Sequence, residues 1–416
     1  MSRARAKLAE VVTAAAADDS IDAFAGRDAQ PDERAPRRWH RATELGQFLA
    51  VAATLPWVSL RIGDGNGDEI ARLPVGGVVV LTAASGAGKS SLALDLAIRH
   101  ALDIGPVVYL SRELDAAEIA GRIVGNRHGL SWEEALRAGD TPDAANALAM
   151  PRLAVLSDDG PGLEDTQAAI AAMAGEFPGE PIMVVADYVQ ILAGDGRDER
   201  ARVANIAEAL RRFAKAHRVL LIAISQTSRN ASVQLRKGEM VGADTATSGA
   251  ESAQIERGAY VTIAIGEAHA REDGTTDVAM SIGKGRFGGG DRVIPCSFDG
   301  RTGRWRVTGT AVSGAEHKAA RDAAAADRAI DEASLMIRTA LADGPEPMTR
   351  ADLATRLRRR PAVVGAAVAA LLAAGSIVEV RPKVGRKGRG WPVWTADKAA
   401  AAGLEVVPDA SPGGGR

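Results

Sequence analysis

The run Gly77-Val-Val-Val-Leu-Thr-Ala-Ala-Ser-Gly-Ala-Gly-Lys-Ser90 joins an apolar strand, a loop of small residues and a helix start with nothing between them. The pattern G-x-x-x-x-G-K-[ST] is met from position 83 to Ser90, with Ala83 standing where the first Gly usually does. Gly86 and Gly88 allow the backbone to approach phosphate oxygens, and the N–H groups opening the helix Ser91-Leu-Ala-Leu-Asp-Leu-Ala97 point at the anion. Ala84, Ser85, Gly86, Ala87, Gly88, Lys89, Ser90 and Ser91 are therefore the expected ATP-binding segment. Lys89 is placed to reach the β- and γ-phosphates and the Ser90 hydroxyl to ligate Mg²⁺. A Gly-rich turn with a chance Lys-Ser is the plain alternative, and the strand before and amphipathic helix after argue against it.

A chain of 416 residues has room for two or three domains. Its net charge of −2 excludes a uniformly basic nucleic-acid coat, although charge can still be segregated locally. The single cysteine, Cys296, cannot form an internal disulfide and reads as a packed strand residue. The six histidines are scattered, with no metal-ligand spacing. No apolar stretch is long enough to span a membrane and the N-terminus lacks a signal-peptide core, so a soluble cytoplasmic protein with no membrane partner is expected.

The organisation reads as six segments. Residues 1–38 are poor in core formers and are expected to be disordered or a frayed helix. Residues 39–75 form a lead-in, with a helix candidate from Leu45 to Leu55 and a short strand from Trp57 to Ile62. An ATPase domain covers 76–310. Its continuous apolar runs, Val78 to Leu81, Val107 to Leu110, Leu153 to Leu156, Ile182 to Val185 and Val219 to Ile224, indicate strands buried on both faces of a parallel sheet. Alternating runs (Tyr260 to Ile265, Val278 to Ile282, Arg292 to Phe298, Arg304 to Val307) suggest an antiparallel extension. A helical linker is expected over 311–330 and a winged helix-turn-helix over 331–398, with helices from Ser334, Thr349 and Pro361 and two strands flanking a basic loop. The tail, 399–416, is expected to be disordered.

Val184-Val-Ala-Asp187 places Asp187 at the end of a buried strand, where it can hold the Mg²⁺ shell; a turn former is the alternative. Asp187-Tyr-Val-Gln190, followed by a polar loop and the helix Ala204 to Ala216, resembles the corresponding region of hexameric replicative helicases of the DnaB type, members of the RecA-like ATPases. The resemblance covers about Leu73 to Trp305. It implies an α/β fold, a RecA-like P-loop NTPase core with a mostly parallel sheet and antiparallel extension. Val107-Val-Tyr-Leu-Ser-Arg-Glu-Leu114 resembles the family's strand ending in the glutamate that polarises the attacking water, a role carried to Glu113; a surface carboxylate at a helix start is the alternative. In Leu221-Ile-Ala-Ile-Ser-Gln226, Gln226 takes the family's γ-phosphate sensing position, with Arg229 following. Ser248-Gly-Ala-Glu-Ser-Ala-Gln-Ile-Glu-Arg-Gly-Ala-Tyr260 looks like the family's next helix. Ile282-Gly-Lys284-Gly-Arg286 resembles the Lys-x-Arg pair that enters the neighbouring subunit's nucleotide site, or else is a solvated basic hairpin tip.

Between Arg229 and Ser248 the sequence shows no strong periodicity and reads as a loop carrying Arg236 and Lys237. The resemblance implies that this loop lines a central channel and grips single strands; a merely solvated loop fits the composition as well. The family's helical N-terminal domain is not recognisable, so loader and primase contacts are not carried over, and the compact core is similar to plasmid RepA-type hexameric helicases. The added winged helix departs from both. From Met348 to Lys398 it carries eleven basic against three acidic side chains, including Arg358, Arg359, Arg360, Lys383, Arg386, Lys387 and Arg389. Its recognition helix from Pro361 offers almost nothing to read base edges. Backbone binding to DNA with weak sequence preference is expected, protein contact being the alternative. The expected function is an ATP- and Mg²⁺-dependent helicase or translocase on single-stranded DNA, a homo-oligomeric ring of six, in replication of a plasmid, phage or integrated element. A primase or initiator of the same replicon is a candidate partner. The rivals are an ATP-switched, non-translocating DNA-binding regulator or recombination accessory protein, and a signalling ATPase with no nucleic acid in its ring.

Overall fold

The computed structural model describes residues 54–63, 67–139, 141–157, 163–187, 199–227, 229–247, 258–380 and 392–407. Contacts divide the chain after His317 into two units. The first opens with β1 (Trp57–Ile62) and β2 (Asp68–Pro74), an antiparallel hairpin, then β3 (Val78–Ala83) and α1 (Lys89–Asp103). Next come β4 (Val107–Ser111), three helices α2 (Ala116–His128), α3 (Trp132–Ala138) and α4 (Pro142–Leu148), and β5 (Leu153–Leu156). The chain continues through α5 (Leu163–Glu176), β6 (Met183–Asp187), α6 (Glu199–His217), β7 (Leu220–Gln226) and α7 (Arg229–Arg236). After a 3₁₀ turn (Gly242–Thr247), β8 (Val261–Ala270), β9 (Thr275–Gly285), β10 (Arg292–Asp299), β11 (Arg304–Val307) and β12 (Val312–Ser313) complete the unit.

Strands β3 to β12 form one ten-stranded sheet in the order β11-β10-β9-β8-β3-β7-β6-β4-β5, with β12 on β10. From β8 to β5 every neighbour is parallel; from β8 to β11 every neighbour is antiparallel. The central strands read as unbroken apolar runs because both faces are covered. Val79, Leu81, Tyr109, Val185 and Ile222 pack with α1, α2 and the β1–β2 hairpin. Their alternates Val80, Val108, Val184 and Leu221 pack with Ile170 of α5 and Ile206, Leu210 and Phe213 of α6. The period of two sorts each strand between two cores. Cys296 is buried, and burial pushes its thiol up to about 12, consistent with a packing role.

The segment after Arg229, expected as a loop, is helical over Arg229–Arg236 and forms the 3₁₀ turn beyond. Ala231 and Leu235, one turn apart, are buried and provide its anchoring face. Two apolar positions are too few for the periodicity to show in the sequence.

The second unit takes up most of α8 (Gly314–Asp343), one continuous helix across the expected linker and the helix from Ser334. It continues with α9 (Arg350–Leu357), α10 (Pro361–Ala373), the antiparallel pair β13 (Val378–Glu379) and β14 (Val393–Trp394), and α11 (Ala396–Ala401). Ala333, Ile337, Leu341, Leu353, Val364, Val368 and Trp394 form its core. Thr349 caps α9 through a reciprocal box with Asp352, and Pro361 opens α10. The expected disordered segment 1–38, almost all of the Leu45–Leu55 helix, Tyr188 to Gln190 and residues 248–257 lie outside the described residues, as do residues 408–416 of the tail expected over 399–416. The first part of that tail is ordered, with Ala399 to Ala401 in α11 and the Val407 N–H donating to the Glu379 carbonyl at 2.9 Å. Arg381, Lys383, Arg386, Lys387 and Arg389 of the basic loop also lie outside the described residues.

Candidate nucleotide site

The carboxyl ends of β3, β7, β6 and β4 gather at one edge of the sheet, where open α/β sheets place their ligands. Register fixes what meets there: Ala83 pairs with Gln226, and Ser111 with Asp187. β3 runs into the loop Ala84 to Gly88, in which Gly86 and Gly88 have φ of 75° and 87°. A Cβ on Gly86 would meet open space. The positive φ, rather than crowding, explains that glycine. At Gly88 both constraints act, because a Cβ would lie 3.1 Å from the rings of Phe298 and Trp305. Those rings stack at 4.6 Å beneath the loop. Gly88 also caps α1 without any side-chain hydrogen bond, and no acidic residue stands in the first helical turn. The helix start is thus an uncapped cluster of backbone donors suited to an anion.

Lys89 folds back over this loop and donates to the carbonyls of Ala83 at 3.2 Å and Ala84 at 3.0 Å. Burial lowers its pKa, and the charges of Glu113 and Asp187 oppose that shift, which places both carboxylates within electrostatic reach of the ammonium. Asp187 is buried, and burial raises its pKa against the pull of the Ser90 and Tyr109 hydroxyls. Tyr109 donates to its Oδ2 at 3.0 Å, while Oδ1 is buried with no hydrogen-bond partner. A carboxylate oxygen left orphaned beside a hydroxyl and a phosphate loop fits the donor set of a hydrated Mg²⁺.

The exposed Glu113 sits just beyond β4. Two contacts hold its loop: the Arg112 N–H donates to the Asp187 carbonyl at 2.8 Å, and Ser111 Oγ exchanges hydrogen bonds with Leu114 N–H and C=O. Lys89, Ser90, Glu113 and Asp187 are therefore brought together. Gln226 joins them through its backbone; its side chain and that of Arg229 lie outside the described ones. Arg236, expected in a strand-gripping loop, instead donates from its guanidinium to the Ser85 carbonyl at 3.2 Å, against the phosphate loop. Lys237 is exposed at the end of α7.

Lys284 and Arg286 are not brought to this site. Lys284 pairs with Thr262 and Gly285 with Val261, and Val261 pairs with Val79 at the start of β3. The phosphate loop lies beyond the other end of that strand, about 17 Å away for five residues of extended chain. Burial and the Arg286 charge lower the Lys284 pKa, so the two cations stand close together. In the second unit Arg359 pairs with Glu332 at 3.0 Å, and Arg358 holds the left-handed cap of α9 at φ 49°. Arg360 precedes α10 and is exposed.

Sequence reasoning missed Tyr109, which reads as an ordinary core aromatic, and the Phe298–Trp305 stack, whose relation to Gly88 has no local signal. It also missed the bracing of α1, where Asn126 donates to Asp95 at 2.8 Å and Arg304 to the carbonyls of Asn126 and Arg127. No group of three or more His, Cys, Asp or Glu suited to a metal occurs among the described residues, and no described helix is long and apolar enough to cross a membrane.

Among known families, the one described as DnaB-like helicase C-terminal domain matches residues 70–306. A probable plasmid replicative DNA helicase of Chlamydia trachomatis serovar L2 is 28% identical over 226 residues, 52% of this chain and 48% of that protein. One of Chlamydia muridarum is 27% identical over 239 residues, 55% of this chain and 50% of that one. The chain thus spans about half the length of these relatives. A solved DnaB-like replicative helicase, described with its interactions with primase, superposes with a TM-score of 0.49 at 19% identity, covering 56% of this chain and 58% of that one.

Proposed function

Since this chain belongs to the DnaB-like helicase C-terminal domain family, we propose that it is an ATP-hydrolysing motor that moves along single-stranded DNA as a ring, in the replication of a plasmid, phage or integrated element. The observation that carries this reading is the separation of Lys284 and Arg286 from their own phosphate loop by the length of β3. A second copy is needed to complete each site.

In the proposed site the loop N–H groups and Lys89 hold the phosphates, Lys89 exchanging the carbonyls of Ala83 and Ala84 for phosphate oxygens. Ser90 and Asp187 would hold Mg²⁺, which neutralises charge building on the β- and γ-phosphates. Glu113 orients the attacking water and accepts its proton, and Gln226 senses the γ-phosphate. Lys284 and Arg286 of a neighbouring copy meet the charge that develops on the transferred group.

The second unit has the helix and strand order of a winged helix, and we assign it to DNA-backbone contact. α10 has Pro, Ala, Val, Gly and Leu alone along its length, whereas Arg358 and Arg360 stand at its entrance. Partners of the same replicon, a primase or an initiator, belong to this proposal.

Strand displacement on forked DNA, measured beside DNA-stimulated ATP hydrolysis, tests it. Displacement requiring ATP and Mg²⁺ is expected. DNA-stimulated hydrolysis without displacement would favour an ATP-switched DNA-binding regulator, and hydrolysis indifferent to DNA would exclude both.

A further inference from the structure

The open end of the β8–β9 pair, where β9 turns into β10, carries rings that the nucleotide site does not use. Tyr260 stands just before β8 and packs on Gly77, where a Cβ would come within 2.9 Å of its ring. The Arg286 guanidinium lies over that ring, 4.6 Å from its centroid, and the Arg286 N–H donates to the Tyr260 carbonyl at 2.8 Å. Phe287 stands edge-on to Tyr260 at 5.5 Å and to Trp57 of β1 at 5.0 Å. Arg72 approaches the Trp57 ring at 5.9 Å. Folding nonetheless leaves Phe287 53% and Trp57 45% exposed.

Arg286 lies between Gly285 and the run Gly288 to Gly290, a backbone that by itself leaves a long side chain many orientations. Stacking removes that freedom. A guanidinium held over a ring is attracted through the ring's π-face, which takes up none of its N–H donors and leaves them for phosphate oxygens. The edge-on contacts of Phe287 hold the ring stack from Tyr260 to Trp57 in line.

We propose that Tyr260, backed by Phe287 and Trp57, is a positioning residue: an aromatic seat that fixes the Arg286 guanidinium with its donor edge free for the γ-phosphate bound by a second copy of this chain. The proposal rests on the reading that Arg286 acts across copies, and the experiment separates the two.

Full-length Arg286→Ala, with an intact phosphate loop and no Arg286 guanidinium, is mixed with Lys89→Ala, which keeps Arg286 and lacks the loop's lysine. Restored hydrolysis is expected, and its absence overturns both the shared site and the seat. Lys89→Ala is then replaced by the double variant Lys89→Ala/Tyr260→Ala. The restored kcat should fall about fivefold to tenfold while KM for ATP is unchanged, and Lys89→Ala/Tyr260→Phe should recover it because the ring face is kept. Undiminished hydrolysis with Tyr260→Ala overturns the seat and leaves the shared site standing. Raised hydrolysis overturns it too, since the ring would then be withholding Arg286. Because Tyr260 packs on Gly77 and its removal could unfold the chain, the exposed pair Trp57→Ala/Phe287→Ala is carried in parallel on Lys89→Ala. A loss of about threefold supports the seat, and no loss overturns it.

Discussion

Tyr109 and Asp187, on adjacent parallel strands, are joined by a 3.0 Å hydrogen bond from the phenol to Oδ2. Tyr109 is fully buried, and burial with the Asp187 charge pushes its pKa well above the usual range, so it stays a donor at any working pH. The bond leaves Oδ1 as the free oxygen of the carboxylate. Tyr109→Phe should therefore fold and bind nucleotide, but should raise the Mg²⁺ concentration for half-maximal hydrolysis about tenfold, as loss of an orienting partner does. A Mg²⁺ titration of the initial rate decides it, and an unchanged midpoint would show that the phenol has no part in orienting Asp187.

The proximity of Lys89 and Glu113 implies that their losses separate into different defects. Lys89→Ala should abolish nucleotide binding or turnover, whereas Glu113→Gln should bind ATP normally and hydrolyse it at least about a hundredfold more slowly. Calorimetric binding beside phosphate release gives the readout. Wild-type hydrolysis in Glu113→Gln would reject its role.

Arg286→Ala should bind ATP nearly normally and hydrolyse it about a thousandfold more slowly, the usual weight of an arginine acting on a transferred phosphoryl group. Full activity in a strictly monomeric preparation, checked by sedimentation, would contradict a site shared between copies.

In the second unit, Arg358 and Arg360 form no ion pair with another described residue, whereas Arg359 is engaged by Glu332. Arg358→Gln or Arg360→Gln should flatten the log–log salt dependence of duplex binding by about 0.9 per lost phosphate contact, and Arg359→Gln by less. Basal hydrolysis should not change. Equal slopes for all three variants and wild type would remove this face from the DNA contact.

His100, buried in α1, contacts the Pro181 carbonyl through Nε2 at 2.9 Å, and burial lowers its pKa from 6.5 to about 4 against the opposing effects of that hydrogen bond and the charge of Glu180. The unfolded chain therefore takes up this proton at a higher pH than the folded one. Stability should fall as pH drops from 6.5 toward 4 and level off below, a loss of roughly 3 kcal/mol at most. His100→Gln should show a flatter acid limb in thermal unfolding, and an identical limb would assign the acid sensitivity elsewhere.

The parts of the fold legible in the sequence were those with a local cause. The runs at Val78, Val107 and Val219 show as strands because two cores cover them, and the loop before Lys89 because its chemistry needs glycine and lysine at fixed spacing. Asp187 was legible from its place at a strand end. Tyr109 was not, because its function is set by the register of β4 on β6, and in its own strand it is simply apolar. Nor was the grouping of Trp57, Tyr260 and Phe287, which come from three distant stretches. α2, α3 and α4, short helices between β4 and β5, carry little periodicity individually, although the reciprocal caps at Asp115 and Ser131 follow a readable pattern.

The phosphate loop and the Arg286 tip lie at opposite ends of β3. Two copies set antiparallel about a twofold axis would join both pairs at once, whereas copies stacked head-to-tail have no such axis, and each one that docks leaves one loop and one tip open for the next. Only closure on itself ends the series, and the small rotation between neighbours decides whether the copies close as a circle or climb past one another as a helix.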